Sequence, residues 1–317
     1  MRYALMTEPQ QGLSYDEILA VARTAEEAGI EAFFRSDHYA SFPGGAGLPT
    51  TDAWTTLAGL ARETSTIRLG VLVSPVTFRI PGQLAKVIQT VDEMSGGRVE
   101  AGFGAGWNED EHAQLGIPFP PIGERYDMLE EQMAVVHGLW TEPDGWSFDG
   151  EHWQVRGSKR HGEVARGGRR HPHIVFGGKG GPRLASLVAR YGDEFNLNSA
   201  APQDAPAAYA RVRTACQEVG RDPDEVVYSA MTGVLVAETQ GDLRTRVRDL
   251  LTTLGQGELD GDAWLAERRK RWVMGTPDEA HERVRTLETS GTQRIMLQDF
   301  IPRDLDHVRL IGRVFAD

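Results

Sequence analysis

Asp37 and His38 are the residues of this chain best suited to moving a proton. A histidine titrates near neutrality, and a neighbouring carboxylate favours its charged form, so the pair suits proton donation or the stabilisation of a developing anion. A solvated histidine in a turn fits the same local sequence equally well. Two glycine-bearing stretches suggest a different chemistry. Gly102, Gly104 and Gly106 alternate with Phe103, Ala105 and Trp107, which removes Cβ atoms from one side of an extended chain and lets something flat or bulky lie against it. Gly177-Gly178-Lys179-Gly180-Gly181 precedes a helical pattern. It reads either as a backbone anion cradle at a helix N-terminus or as a tight glycine turn. It is not a P-loop, since Gly180 follows Lys179 where Ser or Thr belongs, and Arg183 falls at the third glycine of a dinucleotide fingerprint.

Other reactive residue types have plainer readings. His171 and His173 share one face of a strand start and could bind a metal, but no third ligand lies nearby in sequence, so a structural or surface role is expected instead. Glu109-Asp110-Glu111 reads as the solvated acidic first turn of a helix. Cys216 falls on the apolar stripe of a helix and reads as core.

The elements that must position these residues alternate along the chain. Strand-like runs are expected at Tyr3–Met6, Glu31–Arg35, Ile67–Val73, Arg98–Phe103, Pro172–Phe176, Glu194–Leu197, within Val226–Ala237, and at Arg294–Leu297. Amphipathic helices separate them. Ser14 is a candidate cap, Pro81 opens another helix, and Tyr126, Leu129, Met133, Val136 and Trp140 mark one helical face. Such alternation forces a parallel sheet with right-handed crossovers. Eight units over this length favour a closed (β/α)8 TIM barrel over an open doubly wound sheet. The expected organisation is a single α/β barrel domain over 1–317, with an inserted hairpin and loop at about 141–171 and a helical excursion at about 241–271. The active site of such a barrel lies at the C-terminal ends of its strands. The residues there, from Glu8 to Gln298, are rich in glycine and poor in nucleophiles, which suits a large flat ligand better than a hydrolytic triad.

Composition narrows the classes further. A formal charge of −12 argues against a nucleic-acid surface, and the single cysteine excludes an internal disulfide. No basic leader or long apolar run is visible, so a cytoplasmic protein without membrane contact is expected.

Several short motifs keep a common order: Ser36-Asp37-His38, Leu69-Gly70 with Phe78-Arg79, Ser95-Gly96-Gly97-Arg98, Gly104-Ala105-Gly106-Trp107-Asn108, and Gly116-Ile117-Pro118-Phe119 with Gly123-Glu124-Arg125. Together they resemble the luciferase-like monooxygenase superfamily, and within it the oxidoreductases that use the deazaflavin coenzyme F420. The resemblance is densest over 29–140 and 172–198 and weak over 143–170 and 240–272. It implies a barrel with an isoalloxazine-like ring across its mouth and a non-proline cis peptide, aligned here to Leu72–Val73, in a bulge behind the ring. The cofactor contacts it carries over are Asp37 and His38 near the pyrimidine side, Leu72, Val73 and Ser74 at the bulge, and Ala105 and Gly106 after the fourth strand. Gly177, Gly178, Lys179 and Gly180 lead toward the phosphate. His38 is the implied catalytic residue. In the sugar-phosphate dehydrogenase branch a glutamate follows the fourth-strand glycines; Trp107 stands there in this chain, which favours an apolar or aromatic substrate packed on Trp107. The implied activity is hydride transfer between coenzyme F420 and a small organic substrate, in a homodimer. The alternatives are an FMN-dependent monooxygenase and a non-catalytic ligand-binding barrel.

Overall fold

Continuous apolar runs become strands because both faces of a barrel strand are covered. In the computed structural model, which describes residues 1–42, 47–159 and 170–316, these are β1 (Arg2–Thr7), β2 (Ala32–Arg35), β3 (Arg68–Pro75) and β4 (Val99–Gly104). A hairpin of β5 (Trp146–Asp149) and β6 (Gln154–Ser158) follows, then β7 (His173–Gly178), β8 (Glu194–Leu197), β9 (Val227–Val236), β10 (Val273–Gly275) and β11 (Arg294–Asp299). The parallel order β11-β1-β2-β3-β4-β7-β8 is closed by β9, which pairs with both β8 and β11. The molecule is an eight-stranded TIM barrel.

Two-residue periodicity divides each strand between two cores. Ala4, Met6, Ala32, Phe34, Leu72, Val175, Met231 and Met296 fill the barrel interior. Leu5, Phe33, Leu69, Val71, Ala101 and Phe103 point outward and pack under the helices. The helices start where expected. Ser14 forms a capping box with Glu17 at the helix Tyr15–Glu27, Pro81 opens Pro81–Ser95, and Leu129, Met133, Val136 and Trp140 bury the inner face of Ile122–Thr141.

At the N-terminal end of the barrel the interior is closed by charge. Arg294 donates to Glu100 at 2.6 Å and to Glu194 at 2.9 Å, and the His173 ring lies 3.2 Å from Glu194. All four side chains are nearly sealed from solvent. Such a group is stable only when its charges are paired throughout.

Within the insertion expected at about 141–171, residues 146–158 form the antiparallel β5–β6 pair; the expected loop over 160–169 lies outside the described residues. The excursion after β9 contains the helices Gln240–Thr253 and Gly261–Arg268 with their own small core around Leu250 and Trp264. Its return strand, β10, is not foreseen by the helical reading. It adds to β9 through Val273↔Val234, and Trp272 fills the space left by the missing Cβ of Gly233. Among the described residues no helix is long and apolar enough to cross a membrane.

Candidate active site at the barrel mouth

Asp37 and His38 leave β2 side by side and enter different networks. Asp37 is fully screened from solvent. It accepts from the Ser74 hydroxyl at 3.0 Å and from both terminal nitrogens of Arg79. Arg79 also meets Asp52 and the Tyr39 hydroxyl. Burial works against the charge on Arg79, but Asp37, Tyr39 and Asp52 outweigh it and hold the guanidinium above its ordinary range. Burial would likewise raise the Asp52 carboxyl, yet the Thr55 N–H, Arg79 and Tyr39 pull it well below the usual carboxylate range. Asp37 therefore supports the mouth from beneath. Ser74, which also accepts from the Trp54 indole at 2.8 Å, belongs to the same layer.

His38 faces the mouth with its side chain 15% exposed, and its carboxylate partner is Glu111. Nδ1 lies 2.8 Å from one Glu111 oxygen, while the other accepts the Tyr39 N–H at 3.0 Å. The expectation of a solvated Glu109-Asp110-Glu111 turn fails at its third member. Glu109 and Asp110 are exposed, but helical rotation carries Glu111 inward to become nearly fully buried. The next residue, His112, ties the short helix Glu109–Leu115 to the end of β3 through Thr77 Oγ1 at 2.6 Å.

Aromatic rings wall the site. The His38 ring lies edge-on to Phe42, with centroids 4.4 Å apart, and to Trp107 at 5.7 Å; Phe42 and Trp107 meet at 5.2 Å. Trp107 is 63% exposed, an unusual position for the largest apolar side chain and one that a ligand would cover.

On the side a Cβ would take, the glycines make room for the chain's own backbone and side chains. A Cβ on Gly102 would sit 2.0 Å from the Val71 carbonyl oxygen, one on Gly104 2.5 Å from Val73, and one on Gly177 2.8 Å from Val73. What lies against these glycines is the chain itself, at the bulge where the β3–β4 register shifts between Val71 and Ser74. The Leu72–Val73 peptide is cis, at the aligned position. Gly178 and Gly180 similarly make room for Leu184 and Phe195. Gly106, at φ +76°, turns the chain so that Ala105 packs down and Trp107 stands out. Lys179 is exposed and donates to the Asn198 carbonyl at 2.9 Å, beside the N-terminus of the helix Pro182–Tyr191.

The metal question takes a different form in three dimensions. His173 does acquire neighbours, Glu100 and Glu194, with ligand atoms within 4.8 Å of one another. Arg294 already occupies the cation position between those carboxylates. The cluster also lies at the opposite end of the barrel from His38, so it holds the closed end together. His171 lies apart from it, 3.8 Å from Asp193.

A luciferase-like monooxygenase family model matches residues 1–294. The chain belongs to that family. It is 37% identical over 147 residues to an uncharacterized protein of Mycobacterium tuberculosis, a match covering 42% of this chain and 51% of that protein, so the chain spans about half the length of this relative. Over 317 residues it is 26% identical to an F420-dependent glucose-6-phosphate dehydrogenase of Intrasporangium calvum, covering 92% and 90% of the two chains. A solved monooxygenase from Streptomyces bottropensis superposes with a TM-score of 0.81 at 25% identity, over 100% of this chain and 98% of that one.

The F420-dependent and FMN-bound proteins of this family support a deazaflavin or flavin cofactor, and a flat ring of that kind would meet apolar side chains at this mouth. Partly exposed Val73 stands at the bulge with the interior residues Leu72 and Met231 beside it, which makes an apolar floor. Around it stand His38, Trp107 and a polar set in which Glu8 accepts from Gln10 and Gln298. Sequence reasoning placed Glu8 at the mouth without its partners, and missed the roles of Glu111, Tyr39 and Asp52. Glu111 meets His38 across 73 positions, and Tyr39 and Asp52 meet at Arg79 from a separate loop, so no local spacing marks them.

Proposed function

We propose that this luciferase-like protein is an oxidoreductase that transfers a hydride between coenzyme F420 and a small apolar or aromatic substrate. The observation that carries the reading is a histidine held on a buried carboxylate above an apolar floor and beside an exposed tryptophan. The near full-length likeness to an F420-dependent dehydrogenase supports it. Leu72, Val73 and Ser74 would back the ring, and Ala105 and Gly106 would border it. Gly177, Gly178, Lys179 and Gly180 would lead its tail to the helix N-terminus, where backbone N–H groups favour a phosphate. When bound, the deazaflavin supplies a two-electron hydride carrier. The chain contributes orientation, exclusion of water and a proton at His38 Nε2. Trp107, rather than a carboxylate, borders that position, which suits an apolar or aromatic substrate. The same reading has the protein acting as a cytoplasmic homodimer.

The likeness to a monooxygenase favours FMN as the second reading. Titration of the apo-protein with coenzyme F420 and with FMN, followed by quenching of tryptophan fluorescence, separates the two. The expected outcome is deazaflavin binding at least ~10-fold tighter than FMN, a gap of ~1.4 kcal/mol. Equal affinities, or tighter FMN, would replace the first reading with the second. Absence of both would point to a barrel that binds other ligands without this chemistry.

A further inference from the structure

Glu111 lies 73 positions from His38 in sequence, yet its side chain is 2% exposed and both of its oxygens are committed to the segment that carries that histidine. One oxygen meets the imidazole and the other the backbone N–H of Tyr39, so the carboxylate is fixed at two points relative to the ring. The helix bearing Glu111 is fixed in turn. The His112 ring bridges the Asn108 carbonyl and the Thr77 hydroxyl, both at 2.6 Å. Phe42 and Trp107 approach the His38 ring edge-on and restrict its rotation. An ionised carboxylate only accepts, so the neutral imidazole beside it must carry its proton on Nδ1, which leaves the lone pair on Nε2. Among the described residues Nε2 has no hydrogen-bond partner.

We propose that Glu111 is the positioning residue of this site. It selects the Nδ1–H tautomer of His38, presents Nε2 to the bound substrate, and stabilises the imidazolium formed when Nε2 takes a proton. In the oxidative direction a substrate O–H or N–H proton passes to Nε2 while the hydride, with its electron pair, passes from substrate carbon to the deazaflavin. In the reductive direction Nε2–H returns that proton. This inference rests on the reading of His38 as the proton-handling group, so the experiment has one arm that does not depend on it.

The first arm is long-range 1H–15N NMR of 15N-histidine-labelled protein where the ring is neutral, with His38 assigned by its absence in His38→Ala. Wild type should show the Nδ1–H tautomer and Glu111→Ala a mixture. An unchanged tautomer in Glu111→Ala overturns the proposal. The second arm measures single-turnover oxidation of reduced coenzyme F420 with menadione as hydride acceptor. Glu111→Ala should slow it at least ~10-fold, with cofactor Kd changed less than ~3-fold, and His38→Ala/Glu111→Ala should be no slower than His38→Ala alone. Additive losses would mean that Glu111 acts elsewhere and would overturn the proposal. Wild-type rates in His38→Ala would remove the proposed role of His38 while the NMR arm still decides the positioning. Should the alanine variant unfold, Glu111→Gln keeps one acceptor without the charge, and a rate equal to wild type in that variant counts against Glu111.

Discussion

Burial of the Asp37 carboxylate beneath the mouth is tolerated because Arg79 meets it with two nitrogens and spends its remaining contacts on Asp52 and Tyr39. Removing one member of such a pair leaves a desolvated charge, which is worse than removing both. Arg79→Met should therefore destabilise the protein by ~3–5 kcal/mol in urea unfolding, the usual range for a broken buried pair. Arg79→Met with Asp37→Asn should recover part of that loss. A single-variant cost below about 1 kcal/mol would show that the pair is better solvated than its geometry indicates.

At the scale of elements, the decisive contact is between the β3 bulge and the glycines of β4 and β7. The backbone carbonyl oxygen of Val71 lies 2.0 Å from the point a Cβ on Gly102 would take, and backbone gives way less readily than a side-chain end. Gly102→Ala should cost ~1–3 kcal/mol or more through overpacking, and should shift the bulge that underlies the proposed ring site. Gly123, in the helix Ile122–Thr141, has nothing within 4 Å of its Cβ position. Gly123→Ala should be neutral or stabilise by roughly 0.5–1 kcal/mol, because alanine loses less backbone freedom in a helix. Thermal unfolding of the two variants side by side checks this; equal behaviour would mean that the bulge can move aside at little cost.

At the scale of the whole molecule, two histidines outside the mouth set opposite limits on stability with pH. Burial opposes a charge on His173, but Glu194, Glu100 and Asp193 outweigh it and raise the ring above its ordinary 6.5. A raised folded value gives stability that is complete below about pH 6.5 and is lost as pH climbs through the folded value. His137 is pushed down to about 4, first by burial and then by His171, against a smaller pull from Asp193. Between pH 6.5 and about 4 the unfolded chain takes up this proton and the folded one does not, so stability falls as pH drops across that window. At lower pH Glu100 and Glu194 follow. Burial would raise both, but Arg294 and His173 hold them below the usual carboxylate range. Maximum stability is expected at about pH 6.5. In thermal unfolding across pH, His173→Gln should flatten the alkaline decline while leaving the acid one. A decline above pH 6.5 as steep as in wild type would dissociate His173 from it.

The sequence by itself determined the alternation of strand and helix, the cap at Ser14, the proline start at Pro81, and the family. These depend on local periodicity, end chemistry and short motifs, all of which survive as linear patterns. It also located the His38 turn and the exposed Trp107, because strand ends can be counted along a chain. Tertiary structure alone decided what those residues touch. Barrel closure brings the start of β4 beside the starts of β7, β8 and β11, so that His173, Glu100, Glu194 and Arg294 meet. It turns Glu111 from an apparent surface acid into the partner of His38, and fills the glycine faces with the chain's own bulge. Side-chain partnership across a barrel depends on strand order, register and helix rotation together, and none of the three is written in the spacing of residues along one strand.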